Sequence, residues 1–262
     1  MADSSDNAAA LVLMSCQRHG QYQAYRVAGV APAAGLNDCP RCIDQQQDEQ
    51  DRERRDRIAQ SERRERMKEL VDIASIPKKY ATTTLSDYQT QLAGQRHALQ
   101  ICQKYAQTWE TQLKRGGSLV FTGGPGTGKT HLACAIVNHI IQKHMALAAF
   151  GTVSSVTRTV RATYNKNNPK TESQALADLM VPDLLIIDEV GASNGSDHEL
   201  GLLFEIINRR YENLRPMILI SNLSEPELKK LLGHRAMDRF AECGTVIAFD
   251  WPSHRVQQQV PL

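Results

Sequence analysis

Ser118-Leu119-Val120-Phe121-Thr122-Gly123-Gly124-Pro125-Gly126-Thr127-Gly128-Lys129-Thr130 decides the fold. Its first five residues read as a buried strand, and apolar residues from His131 to Gln142 recur at helical spacing. Between them stands G-x-x-x-x-G-K-[ST], in the strand, loop and helix context that this phosphate-cradling pattern requires. Gly123, Gly126 and Gly128 free the backbone to turn successive N–H groups inward, with Gly124, Pro125 and Thr127 completing the cradle. The helix that opens near Lys129 adds its unsatisfied N–H groups and positive dipole end. Lys129 is expected to reach the β- and γ-phosphates of a nucleoside triphosphate, and Thr130 to hold Mg²⁺. A glycine-rich turn serving only to join strand to helix rarely meets all these positions at once.

Downstream, Leu184-Leu185-Ile186-Ile187-Asp188-Glu189 is an apolar strand ending in two carboxylates. Alone this is weak; paired with the phosphate loop it assigns Asp188 to Mg²⁺ through water and Glu189 to orienting and polarising an attacking water. Pro216 to Ser221 reads as a further buried strand ending at Asn222. At that tip Asn222 faces the ligand crevice of an open α/β sheet, or caps the helix that follows. Ala146 to Thr152 and Thr245 to Phe249 supply two more strands. Helices are expected from Ala98 to Leu113, Val153 to Tyr164, Asp197 to Asn213, Glu225 to Leu232 and Arg235 to Glu242, with Leu202, Leu203, Ile206, Ile207 and Tyr211 inward on the third. Arg158, Arg161, Lys166 and Lys170 form a basic cluster that is either a solvated face or a DNA contact.

The amino-terminal part has a different chemistry. Cys16-Gln17-Arg18-His19 and Cys39-Pro40-Arg41-Cys42 have the pair-spacer-pair layout of a zinc site, so Cys16, His19, Cys39 and Cys42 are expected to hold Zn²⁺ tetrahedrally. Cys102, Cys134 and Cys243 lack partners at ligand spacing and read as core residues. From Asp44 to Lys79 ten acidic residues face ten basic ones, and Asp48/Arg52, Asp51/Arg55, Glu53/Arg57 and Glu62/Arg66 stand in the acid-first i,i+4 order that supports an exposed helix. The expected domains are a zinc module over 1–43, a charged helical linker over 44–79 and an ATPase domain over 80–262.

With 262 residues, 41% of them hydrophobic, and a net charge of +2, the chain fits one α/β domain plus an appendage, and total charge points to neither nucleic acid nor membrane. Met1 to Ala10 lack the positive charge of an export signal, so a cytoplasmic protein with reduced thiols is expected.

The run from Gly123 through Phe249 resembles the ATPase core of AAA+ helicase loaders of the DnaC type, which have relatives among DnaA-like initiators and the helper ATPases of IstB-type transposons. Phe204-Glu205-Ile206-Ile207-Asn208-Arg209-Arg210-Tyr211, the sensor 1 segment Ile220-Ser221-Asn222-Leu223, and Leu232-Gly233-His234-Arg235-Ala236-Met237-Asp238-Arg239-Phe240 carry the resemblance. Ile76-Pro77-Lys78-Lys79-Tyr80 is similar to the segment leading such loaders into their ATPase domain. The resemblance implies a three-layer α/β domain with a mostly parallel five-stranded sheet and no carboxy-terminal lid. It implies an ATPase using ATP and Mg²⁺, with Arg235 or Arg239 as an arginine finger into the next subunit. It further implies a DnaB-like replicative helicase and single-stranded DNA as partners, and a homo-oligomer, a spiral hexamer when assembled. The zinc-like start is similar to loaders of phages and prophages and departs from the zinc-free cellular loader. Two alternatives stay open: an IstB-like helper of a transposase acting on double-stranded target DNA, and a binding module in which ATP is a structural clamp.

Overall fold

The computed structural model describes residues 9–27, 39–165, 168–192 and 197–254. Lys166 and residues 193–196 of the expected polar loop lie outside them, as do residues 1–8 and 255–262. The chain forms two compact units, dividing between Glu65 and Arg66.

In the first unit, strands β1 (Ala9–Cys16) and β2 (Gly20–Val27) pair antiparallel, with Cys16 opposite Gly20 across the turn. Gly20 takes φ +77°, the left-handed conformation that closes this turn without a side-chain penalty. No strand was expected here from the sequence. Helix α1 (Pro40–Ile73) opens with proline at its first position, where no N–H is needed, and runs 34 residues, crossing the division between the units. Of the four expected ion pairs, Glu53 and Arg57 meet at 3.3 Å, whereas Arg66 turns to Glu69 at 2.9 Å and Arg55 donates to the Asp51 carbonyl. Such exposed pairs contribute only about 0.3–0.5 kcal/mol each, so the register of the charges matters less than their number.

In the second unit, two short 3-10 turns at Lys78–Tyr80 and Leu85–Asp87 lead into helix α2 (Ala93–Gln107) and helix α3 (Trp109–Lys114). A single helix was expected over this stretch. It breaks at Thr108, whose hydroxyl donates to the Lys104 carbonyl one turn back at 2.8 Å. Then follow β3 (Ser118–Thr122), α4 (Lys129–His144), β4 (Ala148–Thr152), α5 (Val153–Ala162), α6 (Glu172–Asp178) and β5 (Leu184–Val190). The unit closes with α7 (Asp197–Glu212), β6 (Met217–Ser221), α8 (Glu225–Leu232), α9 (His234–Cys243) and β7 (Gly244–Ala248).

The five strands β3 to β7 pair in the order β4-β5-β6-β3-β7, every pair parallel. Strand alternation sorts their side chains into two cores. Leu119 and Phe121, Leu184 and Ile186, and Ile218 and Ile220 face the side covered by α2, α3 and α4. Val120, Leu185, Ile187, Met217 and Leu219 face the side covered by α5 to α9. Both faces are thus buried, which is why these strands read as unbroken apolar runs rather than alternating ones. Cys102 and Cys134 are buried in the first core as expected; Cys243 is half-buried, with its Sγ donating to the Arg239 carbonyl.

One inward residue was not expected. Arg210 is 0% exposed, and its guanidinium donates to the carbonyls of Leu179, Pro182, Asp183 and Pro216 at 2.7 to 3.3 Å. Burial lowers its pKa to about 9. It stitches together the chain segments entering β5 and β6, while Tyr211, expected inward, is half-buried and bonds Glu242.

Candidate functional site

The order of the sheet puts β3 inside it, and the chain leaves β3 into the loop Gly123–Gly128 at the carboxyl ends of the strands, where open α/β sheets bind ligands. Gly123, Gly126 and Gly128 all have positive φ, at +116°, +77° and +97°. Two cannot be replaced for a second reason. A Cβ on Gly123 would lie 2.3 Å from the Phe249 carbonyl oxygen, and one on Gly128 2.5 Å from Tyr88 Cε2. The loop therefore needs glycine both for its conformation and for its close neighbours.

A cavity of about 480 Å³ opens over this loop. Pro125 to Thr130, Asp188, Glu189 and Asn222 line it; Tyr80, Asp87, Tyr88, Gln89, His131, Trp251 and His254 are also among its walls. Lys129 is only 4% exposed, and its ammonium donates to the Gly123 and Gly124 carbonyls at 2.6 and 2.7 Å. Gly124 itself has open space above its Cα, and its carbonyl also accepts from Thr127 Oγ1 at 2.9 Å. Thr130 Oγ1 donates to Asp188 Oδ2 at 2.8 Å, so the two expected magnesium ligands, one from α4 and one from the tip of β5, stand in contact. A hydroxyl and a carboxylate held together at a phosphate loop form an all-oxygen donor pair of the kind Mg²⁺ takes.

Glu189 owes its placement to a backbone irregularity. Pairing between β5 and β6 slips between Ile187 and Val190, and Glu189 takes φ +62°, an uncommon conformation for glutamate. Its own N–H donates to Asp188 Oδ1 at 2.7 Å, and its side chain is exposed into the cavity. Asn222 follows β6 into the same cavity. The cap of α8 is instead Ser224, whose N–H and hydroxyl both donate to Glu227, so the structure gives the capping role weighed for Asn222 to another residue.

Arg235 and Arg239 sit one turn apart on α9, outside the residues that line the cavity. Arg235 is exposed. Arg239 is half-buried, its guanidinium 5.4 Å from the centre of the Phe204 ring and 5.3 Å from that of Tyr211. In the basic cluster, Arg161 reaches Glu199 at 3.6 Å and Lys170 reaches Asp178 at 2.7 Å, which offsets part of the charge available to a nucleic acid.

The walls beyond the loop were not expected from the sequence. Tyr88, ahead of α2, and Trp251, after β7, both donate to the Thr127 carbonyl, at 3.0 and 2.9 Å. His131, next to Thr130, carries a buried Nε2 without a hydrogen-bond partner, its ring 5.6 Å from that of Tyr88. Burial lowers its pKa below the usual histidine value, although Asp87 pulls the other way.

In the first unit, Cys16 and His19 from the hairpin turn meet Cys39 and Cys42 from the start of α1, with all four ligand atoms within 4.8 Å of one another. The separations are 3.8 Å for Cys16 Sγ to His19 Nδ1, 3.6 Å for Cys16 to Cys42, 3.6 Å for Cys39 to His19, and 3.3 Å for Cys42 to His19. Zinc bonds of about 2.3 Å to sulfur and 2.0–2.1 Å to nitrogen give tetrahedral edges of roughly 3.5–3.8 Å, so the residues fit the ion. Burial and the neighbouring Cys16 and Cys39 push the Cys42 thiol up to about 11, a crowding that a divalent cation reverses by taking the thiolates.

A five-stranded parallel sheet in this order, with a phosphate loop after an internal strand and adjacent carboxylates on a neighbouring one, defines a P-loop ATPase domain of the AAA+ type. Comparison with known proteins gives the family: residues 49–260 match the profile described as IstB-like ATP binding protein, and the chain belongs to this family of DnaC- and IstB-type ATPases. It is 31% identical over 190 residues to the replicative helicase loader DnaC of Escherichia coli K12, covering 72% of this chain and 76% of that protein. The loader DnaC of Buchnera aphidicola from Acyrthosiphon pisum is 32% identical over the same shares. Among solved structures, the DnaC helicase loader superposes with a TM-score of 0.60 at 24% identity, covering 66% of this chain and 99% of that one. DnaI superposes at 0.56 with 21% identity, over 69% and 95%. The initiator DnaA bound to AMPPCP and single-stranded DNA gives 0.55 at 21%, over 68% and 52%. These structural likenesses concern the fold. Among the described residues, no helix is long and apolar enough to cross a membrane.

Proposed function

We propose that this chain is a cytoplasmic, ATP-dependent loader that binds a DnaB-like replicative helicase and assists its placement on single-stranded DNA. The observation that carries the reading is the identity with curated helicase loaders across the ATPase unit, 31% over 190 residues. In this reading Gly123 to Thr130 hold the ATP phosphates, and Thr130 and Asp188 hold Mg²⁺, which when bound neutralises charge on the β- and γ-phosphate oxygens. Glu189 orients water and Asn222 stands at the γ-phosphate. Cys16, His19, Cys39 and Cys42 hold a structural zinc. The functional parts are residues 1–43 as partner-binding module, 44–79 as linker and 80–262 as motor.

A pull-down with the host's replicative helicase tests this. The purified chain is expected to carry about one zinc and to retain the helicase; Cys39→Ser is expected to lose both, since one missing ligand opens a four-coordinate site. Zinc lost with capture intact would remove the module from the helicase interface, and capture of a transposase in place of the helicase would favour the IstB-like role.

Hydrolysis in this reading depends on a homo-oligomer, because charge developing on the transferred phosphate is stabilised by an arginine from a neighbour. Arg235→Ala and Arg239→Ala are both expected to retain ATP binding, and the variant that removes the finger loses the DNA-stimulated part of turnover. Their stabilities separate them independently. Arg239→Ala forfeits two ring contacts of about 0.5–1 kcal/mol each and lowers Tm by a few degrees, whereas Arg235 is exposed and its loss leaves Tm unchanged. Full stimulation in both variants would eliminate the finger.

A further inference from the structure

We infer that Tyr88 and Trp251 are positioning residues for the phosphate loop: from opposite ends of the ATPase unit's sequence they set the direction of its Thr127–Gly128 peptide, and so control affinity for the polyphosphate. The inference rests on the cavity being an ATP site.

A trans peptide is planar and carries its N–H opposite its C=O, so whatever fixes one fixes the other. The Thr127 carbonyl accepts from Tyr88 Oη at 3.0 Å and from Trp251 Nε1 at 2.9 Å, using both lone pairs on groups outside the loop. The Gly128 N–H is thereby turned to the other side of its peptide plane. The peptide before it is held in the same way, because His254 N–H donates to the Gly126 carbonyl at 3.0 Å and so directs the Thr127 N–H.

Each donor is held by packing. Tyr88 lies so close to Gly128 that a Cβ there would meet Cε2 at 2.5 Å, and its ring also contacts His131. Trp251 is 7% exposed, stacks at a tilt on Phe249 with 4.9 Å between ring centres, and backs so closely onto Gly94 that a Cβ there would lie 3.2 Å from the indole. Phe249 in turn is anchored to β3 by its N–H on the Thr122 carbonyl at 2.8 Å. Burial pushes the Tyr88 hydroxyl well above the usual tyrosine range, keeping it a donor. Rings chosen only to fill space would not both aim their single polar hydrogen at one carbonyl of the loop.

Tyr88→Phe and Trp251→Phe keep a ring and delete the donor. A carbonyl that retains one donor loses little, so each single variant is expected to weaken ATP about threefold, and the double variant, whose Thr127 carbonyl is left unsatisfied, at least about tenfold. Inorganic tripolyphosphate measures the loop without the base. Isothermal titration of ATP and tripolyphosphate into the parent, both singles and the double should show the same fold-loss for the two ligands. A loss for ATP with tripolyphosphate unchanged would make these rings contacts of the base and overturn the inference, as would a double variant that binds both ligands as the parent does. If the parent binds neither ligand, the nucleotide reading itself falls and takes this inference with it.

Discussion

Lys129→Ala is expected to raise the Kd for ATP at least about 100-fold. The side chain is 4% exposed, and its ammonium already donates to the carbonyls of Gly123 and Gly124. A phosphate offers the same protons a charged acceptor. Hydrogen bonds to charged groups contribute about 1.5–3 kcal/mol each, so losing two accounts for a factor of roughly 10² to 10⁴. The substitution also has a cost to the fold. Gly123 O and Gly124 O lose their shared donor, although Gly124 O keeps Thr127 Oγ1, so a modest fall in Tm accompanies the loss of binding. Lys129→Arg should not rescue affinity, because a planar guanidinium is too large for a space made for an ammonium and cannot aim at both carbonyls from inside the loop. Titration calorimetry beside far-ultraviolet circular dichroism checks this. ATP affinity within tenfold of the parent in a folded Lys129→Ala protein would remove the phosphate-loop assignment.

What sequence could and could not reveal divides along physical lines. The strands β3, β5 and β6 were legible because both faces of each are buried, so their central positions are apolar on both sides and their carboxyl ends are marked by Gly123, Asp188 and Asn222. The break at Thr108 was hidden because the apolar repeat continues through it. Tyr88 and Trp251 stand far from the loop in sequence, and each looks like an ordinary core aromatic; only the fold brings their donors to one carbonyl. Arg210 was hidden for a similar reason, since a guanidinium on the inner face of a helix breaks the apolar pattern, and its acceptors are backbone atoms that no sequence pattern records. The hairpin of the first unit leaves Leu11, Leu13 and Tyr25 exposed, so it lacks the alternation that announces a half-buried strand. The meeting of Cys16, His19, Cys39 and Cys42, by contrast, was legible from spacing alone, because the pair-spacer-pair layout of these residue types is the one a tetrahedral ion requires.

Glu189→Gln carries the second large effect: turnover is expected to fall at least about 100-fold while ATP affinity stays within a few-fold of the parent. The division of labour between the two adjacent carboxylates follows from their contacts. Asp188 has both oxygens engaged, Oδ2 with the Thr130 hydroxyl and Oδ1 with the Glu189 N–H, so it is held beside the hydroxyl at the foot of the loop. Both residues line the cavity, but Glu189 is the more exposed there, and the chain accepts a left-handed glutamate at this position at a cost of about 1–2 kcal/mol. Glutamine keeps the shape and the backbone but cannot take a proton from water, and a positioned general base contributes about 10² to 10⁴ in rate. Because the change leaves the loop glycines and Lys129 in place, binding should survive it. Glu189→Asp, one methylene shorter, should recover only part of the rate, since the base must lie within hydrogen-bond reach of the water it activates. Phosphate-release kinetics with DNA present, set beside ATP titrations, separate the two quantities. Unchanged turnover in Glu189→Gln would mean that hydrolysis does not pass through this residue, and would leave ATP as a clamp that holds the domain's shape rather than a fuel that times release.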